Sequence, residues 1–207
     1  MKFPYTVGYG MTECGPAIAF DHWQTFRPTS CGRAVDRMEI RIDSPDPFKQ
    51  VGEILTKGMN VMDGYYNNPE ASNTVLSPDG WLHTGDLGVL DPDGYLYIKG
   101  RSKSLILGPS GQNIYPEEIE DLLNAQPYIA ESLVIEREGK LVALVYPDAE
   151  AMKQNKISRE ALLKIIHETR KQINQQIPAY SQIARIEIHD EEFEKTPKRS
   201  IKRFLYQ

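Results

Sequence analysis

Gly94-Tyr-Leu-Tyr-Ile-Lys-Gly-Arg101-Ser-Lys103-Ser-Leu-Ile-Leu-Gly-Pro-Ser-Gly111-Gln-Asn113-Ile-Tyr-Pro116-Glu-Glu-Ile-Glu120 is the stretch on which the reading of this chain turns. An apolar, aromatic run with the character of a strand ends at the basic residues Arg101 and Lys103. A loop rich in Gly, Pro and Ser follows. Pro116 then sits where an early helical position tolerates it, with acids in the first turn to complement the helix dipole. A strand, a loop and a marked helix start, in that order, place a domain boundary near Arg101–Lys103.

Upstream of the boundary, short apolar runs alternate with Gly, Pro, Asn and Asp. Met38-Glu-Ile-Arg-Ile-Asp43 alternates apolar and polar as a half-buried strand does. Pro45-Asp-Pro47 is a turn, and Gly52-Glu-Ile-Leu-Thr-Lys-Gly58 is a second short strand. Asp91-Pro-Asp-Gly94, between two apolar runs, is a hairpin signal. Short strands with frequent turns predict a β-rich subdomain.

Downstream the pattern changes. Pro116 to about Asn124 is read as a helix. Glu131–Arg137 and Lys140–Tyr146 are strands joined across a Glu-Gly-Lys turn. Ser158 is the N-cap of a long amphipathic helix to about Gln176, and Ile183–Ile188 is a third strand. The fold class is α+β, with residues 1–100 and 101–207 as the two pieces.

The chain has 207 residues, enough for one large domain or two small ones. Hydrophobic residues make up 40% and charged residues 26%, a globular mixture. A net charge of -5 argues against a general nucleic-acid partner. No apolar run approaches the ~20 residues that span a bilayer, and Met1-Lys-Phe-Pro-Tyr lacks the apolar core of a signal peptide. Two cysteines, Cys14 and Cys31, are too few for a disulfide framework or a zinc site. A cytoplasmic location is the simplest expectation.

Two further motifs carry chemistry. In Tyr9-Gly-Met-Thr-Glu13 a Gly lets backbone approach a ligand closely, and a hydroxyl beside a carboxylate suits a phosphate and its Mg²⁺. Alone, the pentapeptide reads as a plain turn. Gly80-Trp-Leu-His-Thr-Gly-Asp86-Leu-Gly88 is more specific, because a carboxylate in a Gly-flanked turn can accept two hydroxyl hydrogen bonds, as a ribose offers. Alone, Asp86 is a helix cap or turn former, Trp81 is core and His83 is structural. Gly64-Tyr-Tyr-Asn-Asn-Pro-Glu70 reads as a loop entering a helix. Arg101 and Lys103 alone read as a solvated basic surface.

Taken together, in this order and spacing, these segments resemble the AMP-forming acyl-CoA synthetases, the adenylate-forming enzymes, from Tyr9 to about Arg203. The Leu107–Glu120 stretch looks most like that of the long-chain fatty acid–CoA ligases. The resemblance implies a small distorted-barrel subdomain ending a large adenylation domain, then a mobile C-terminal domain, with the hinge near Lys103. It also implies an acid–thiol ligase using ATP, Mg²⁺ and coenzyme A on a fatty acid. Tyr9 would lie against the adenine, Gly10 would belong to the same ATP/AMP site, Thr12 would contact phosphate, and Glu13 would hold Mg²⁺. Asp86 would bind the ribose hydroxyls with Arg101 near the nucleotide. Gly111 and Asn113 would belong to the loop that moves toward the CoA pantetheine.

Two departures from the family stand out. Only eight residues precede Tyr9, where the family has a large N-terminal domain with a phosphate loop and most of the acyl pocket. The expectation is a C-terminal portion of a longer protein, whose partner is the N-terminal domain of the same polypeptide, and which alone completes neither half-reaction. A peripheral membrane contact of that protein fits a fatty-acid substrate, although no amphipathic anchor is evident. The second departure lies in Lys195-Thr-Pro-Lys-Arg-Ser200-Ile-Lys-Arg203. Aligning Thr196-Pro197 and Arg203 puts Arg199 on the family's Gly and Ser200 on its catalytic Lys. Lys198 and Lys202 lie two residues to either side, on the same face of an extended segment, and Lys198 is the named candidate to replace it. Read bare, the run is a solvated basic tail. Two alternative functions remain: a ligase that uses an acyl-carrier protein as acceptor, and a non-catalytic nucleotide-binding or interaction module.

Overall fold

Short strands and glycine-marked turns build the N-terminal half of the computed structural model, which describes residues 5–197 and 199–207. The chain divides into two units, Met1–Lys103 and Ser104–Gln207. In the first, β1 (Tyr9–Gly10), β2 (Ala17–Phe20) and β3 (Arg33–Ala34) form one antiparallel sheet in that order. β4 (Met38–Asp43), β5 (Gly52–Gly58), β6 (Leu82–Leu90) and β7 (Leu96–Arg101) form a second, a meander in sequence order. Between β5 and β6 lies α1 (Pro69–Val75). Asn68 caps it by accepting the Ala71 N–H at 3.0 Å, and Pro69 occupies its first turn. The Asp91–Gly94 turn joins β6 to β7, closed by the Gly94 N–H donating to Asp91 O at 2.9 Å.

The expected barrel does not form. β4 and β7 are the edges of an open four-stranded sheet, and closure would require each to pair along its outer side. On β7 that side is taken over a short distance by Cys31 and Gly32. The Cys31 N–H donates to Leu96 O at 2.8 Å, and the Leu96 N–H donates to Gly32 O at 2.9 Å.

Asp21 anchors the loop that leads to this contact. Its carboxylate is buried and accepts from the Thr25 hydroxyl and the His22 N–H, both at 2.7 Å. The Thr25 hydroxyl, with Tyr95, the His22 N–H and Arg33, holds the carboxyl down to about 2 against the opposing effect of burial. A depressed carboxyl stabilises the fold above its unfolded value and loses that contribution as pH falls through the folded one. The first unit is therefore expected to lose stability between pH 3.8 and about 2. Asp21→Asn should flatten that part of its acid-unfolding curve, followed by circular dichroism; an unchanged curve would assign the acid sensitivity elsewhere.

The second unit begins with a hairpin, β8 (Ile106–Leu107) and β9 (Asn113–Ile114), followed by α2 (Pro116–Asn124). β10 (Ile129–Arg137) and β11 (Lys140–Pro147) pair antiparallel. Glu138 and Gly139 turn between them with φ of 54° and 72°, the primed hairpin geometry that glycine favours. α3 (Ala149–Gln154) and α4 (Arg159–Asn174) then carry the chain across to β12 (Ile183–Ile188), which runs parallel to β11. Ser158 caps α4 by accepting the Ala161 N–H at 3.1 Å.

Both faces of this sheet are covered, so Leu133–Ile135 of β10 and Leu141–Val145 of β11 are continuously apolar. Val134, Leu141, Ala143 and Val145 pack against Ile119 and Leu123 of α2 and Leu162, Ile166 and Ile173 of α4. On the other face Leu133, Ile135, Val142 and Leu144 pack against Phe193, Ile201 and Tyr206 of the C-terminal segment. No helix among the described residues is long and apolar enough to cross a membrane.

Candidate functional site

The Tyr9–Glu13 motif is a strand end followed by a single tight turn. Gly10 is required by its own chain: a Cβ there would lie 2.1 Å from the Pro16 carbonyl oxygen. The close approach expected toward a ligand is thus an approach to backbone, and it lets the Met11 N–H donate to that same oxygen at 2.8 Å. Thr12–Cys14 then forms one 3₁₀ turn that exposes Thr12, half-buries Glu13 and buries Cys14. Burial and the neighbouring Glu13 push the Cys14 thiol up to about 11, which makes it a core residue rather than a nucleophile.

Asp86 lies within β6, not in a turn or at a helix cap as its flanking glycines suggest. Its direct cross-strand partner on β7 is Arg101, whose Nε stands 3.1 Å from Asp86 Oδ1. The Tyr9 hydroxyl donates to Asp86 Oδ2 at 2.7 Å. Burial, and then the Asp86 charge, push the Tyr9 hydroxyl far above the ordinary tyrosine range, so it remains a donor. The Asp86 side chain is 11% exposed and that of Arg101 71% exposed. The carboxylate is thus held from both sides while the guanidinium extends into solvent.

Glu13 is held separately. Its Oε1 accepts the Tyr65 hydroxyl at 2.9 Å, and its backbone carbonyl accepts the Met62 N–H at 2.8 Å. Burial and Glu13 raise the Tyr65 hydroxyl above its ordinary value, so it too stays protonated. Among the described residues no group of three or more His, Cys, Asp or Glu could hold a metal. Glu13 alone, with an oxygen to spare, fits Mg²⁺, which is commonly bound by one or two carboxylates plus substrate phosphates and water.

Lys103 sits in the 3₁₀ turn Ser102–Ser104, at the last position of the first unit. With Arg101, Glu53, His83, Thr84 and Gly85 it lines a cleft of about 510 Å³. Gly111 stands exposed at the tip of the β8–β9 hairpin with φ of 80°, and Asn113, also exposed, opens β9. Lys198 lies outside the described residues. Ser200 is exposed on a small hairpin bridged between Lys195 and Ile201. The Thr196 N–H donates to Ser200 O at 2.8 Å. Lys202 Nζ is 3.1 Å from Glu194 Oε2, and Arg203 turns inward to Glu117 and Glu120.

The structure therefore joins Tyr9, Asp86 and Arg101 directly and sets Glu13 beside Tyr65. Tyr65 is a functional candidate absent from the sequence reading, since Gly64–Glu70 carries no sign of a partner in the Tyr9 motif. Glu53 is another. Its only local mark is a carboxylate directly ahead of the apolar pair Ile54-Leu55.

Two family descriptions match the chain: AMP-binding enzyme over residues 2–66, and AMP-binding enzyme C-terminal domain over residues 103–206. 4-Coumarate–CoA ligase 5 of Oryza sativa subsp. japonica is 40% identical over 147 residues, covering 65% of this chain and 27% of the relative. The long-chain-fatty-acid–CoA ligase ACSBG2 of Gallus gallus is 38% identical over 146 residues, covering 70% of this chain and 19% of the relative. O-succinylbenzoate coenzyme A synthetase (MenE) from Bacillus subtilis, solved in complex with ATP and magnesium ion, superposes with a TM-score of 0.78 at 29% identity. That match covers 98% of this chain and 41% of the other.

Proposed function

This chain belongs to the AMP-binding enzyme family, and we propose that it serves an adenylate-forming acid–CoA ligase as its C-terminal part. In that reaction a carboxylate oxygen attacks the α-phosphorus of ATP and pyrophosphate leaves. The CoA thiol then attacks the acyl carbonyl, AMP leaves and the thiol proton passes to solvent. The observation that carries the reading is the doubly held carboxylate of Asp86. An ionised carboxylate offers about four acceptor positions. Arg101 and Tyr9 use one on each oxygen, which leaves one on each for the two ribose hydroxyls.

The remaining roles follow on the same reading. The exposed Thr12 hydroxyl contacts phosphate, and Arg101 adds positive charge near the nucleotide. Mg²⁺, held by Glu13 and the phosphates, supplies neutralisation of the charge that develops on pyrophosphate. Lys103, at the end of the first unit, is the hinge residue; a few terminal residues suffice to absorb such a motion. Gly111 and Asn113 form the loop that meets CoA. Long-chain fatty acids are the first substrates to try, on the likeness of the Leu107–Glu120 stretch to their ligases. The diversity of acids among the relatives makes 4-coumarate and 2-succinylbenzoate the next.

A second reading, nucleotide binding without turnover, is favoured by one observation, the serine at position 200. The test is to supply the full-length protein with ATP, Mg²⁺, CoA and this panel of acids. Acid-dependent release of AMP with formation of acyl-CoA is expected. Asp86→Ala should lower it by about 100-fold or more, as loss of a charged hydrogen-bonding group at a nucleotide site does. Nucleotide binding with no AMP released from any acid would leave the second reading.

A further inference from the structure

We infer that Glu53 and His83 are positioning residues for Asp86, holding a bulge in β6 that aims its carboxylate at the nucleotide; the inference rests on the nucleotide reading above. The β5–β6 register runs Glu53↔Leu87 and then Leu55↔His83. Between those pairs one residue of β5, Ile54, faces three of β6: Thr84, Gly85 and Asp86. Such a bulge is a common device for redirecting a side chain.

Every residue of the bulge is bonded. Glu53 Oε1 accepts the Gly85 N–H at 3.0 Å, and Glu53 Oε2 lies 2.9 Å from His83 Nδ1. The Thr84 hydroxyl donates to Ile54 O at 2.7 Å and accepts the Asp86 N–H at 3.1 Å. Gly85 has φ of 73°, yet no atom lies within 4 Å of where its Cβ would stand. Glycine is therefore required for its backbone conformation and not for space. A residue that flexible, next to Asp86, needs an external constraint to hold one conformation, and the Glu53 carboxylate provides it.

Neither positioning residue is a core residue. Their side chains are 28% and 40% exposed on the wall of the cleft that Arg101 and Lys103 also line. A regular β5–β6 ladder would need neither the bulge nor the carboxylate. Their position beside Asp86 points to the ligand.

The test compares the wild-type full-length protein with its Glu53→Ala, Glu53→Gln and Asp86→Asn variants, measuring affinity for AMP and for 2′,3′-dideoxy-AMP by calorimetry. Exchange of the Gly85 amide is followed by NMR. Glu53→Ala should weaken AMP binding on the order of tenfold, speed Gly85 exchange, and leave dideoxy-AMP binding unchanged, because Asp86 acts only on the ribose hydroxyls. Glu53→Gln, which keeps one acceptor for the Gly85 N–H, should recover part of the loss. In the Asp86→Asn background, Glu53→Ala should cost nothing further. Unchanged AMP affinity in Glu53→Ala, or equal losses for both nucleotides, would overturn the inference while leaving the nucleotide reading intact. A wild-type full-length protein that does not bind AMP would overturn both.

Discussion

Arg203→Ala is expected to destabilise the second unit by about 3 kcal/mol, as breaking a largely buried ion pair from one side does. Arg203 bonds Glu120 of α2, stands 3.5 Å from Glu117 Oε1, and donates to Val134 O at 3.3 Å. The side chains of Glu120 and Arg203 are only 10% and 20% exposed. Removing the guanidinium leaves Glu117 and Glu120, three residues apart on one helix face, with no cation between them. For a unit of this size the expected drop in melting temperature is about 10–20 °C.

The pH dependence identifies the cause. Burial pushes the Glu120 carboxyl above its ordinary value even with Arg203 opposing it. A raised carboxyl favours the fold below its unfolded value, and that advantage is lost as pH rises through the folded one. Removing Arg203 pushes the carboxyl further up. The deficit of Arg203→Ala should therefore be larger at neutral pH than near pH 4, where Glu120 is protonated. Adding Glu120→Gln should restore part of the loss, because the amide oxygen can still accept the Val134 N–H, which the carboxylate now accepts at 2.6 Å. Urea unfolding of wild type, Arg203→Ala and the double variant at the two pH values measures this. A deficit independent of pH would mean that packing, and not the charge, is what Arg203 supplies.

The elements legible in the sequence are those whose signals are local. α2 is marked by Pro116 and its first-turn acids, α4 by Ser158, and the β10–β11 hairpin by Glu138-Gly139. α3 escapes because it is six residues long and only the Asp148 cap announces it. The site divides along the same line. Tyr9, Glu13, Asp86 and Arg101 stand in recognisable motifs, but what binds them together does not. The Tyr9–Asp86 bond joins residues 77 apart and the Tyr65–Glu13 bond residues 52 apart. Asp86 reads as a turn residue because Gly85 and Gly88 flank it, and only its pairing with Arg101 shows it to be strand. The C-terminal run reads as a basic tail because its charges outnumber Phe193, Ile201 and Tyr206, which all pack onto one sheet face.

Ser200→Lys in the full-length protein should raise acid-dependent pyrophosphate exchange by about 100-fold, the effect of restoring one charged group at a developing anion. Conversion of preformed acyl-AMP and CoA to product should not change. The alignment that puts Ser200 on the family's lysine also puts Arg199 on its glycine. Arg199 has φ of 61°, the left-handed conformation that glycine adopts without strain and arginine seldom does. A glycine would adopt this conformation without strain, so the backbone at Arg199 is compatible with that register. Position 200 is exposed, and its neighbours hold the hairpin through backbone bonds and the Lys195↔Ile201 bridge. A lysine there should fold within about 0.5 kcal/mol of wild type.

Among the described residues three nearby cations are already engaged: Lys195 with Glu131 at 2.7 Å, Lys202 with Glu194, and Arg203 with Glu120. For Lys202 to act in place of the missing lysine it would have to leave Glu194. Lys202→Ala then gives the opposing test. If it abolishes exchange while Ser200→Lys changes nothing, the charge has moved two residues along the strand. If Ser200→Lys alone creates the activity, the native chain lacks the cation that adenylation uses.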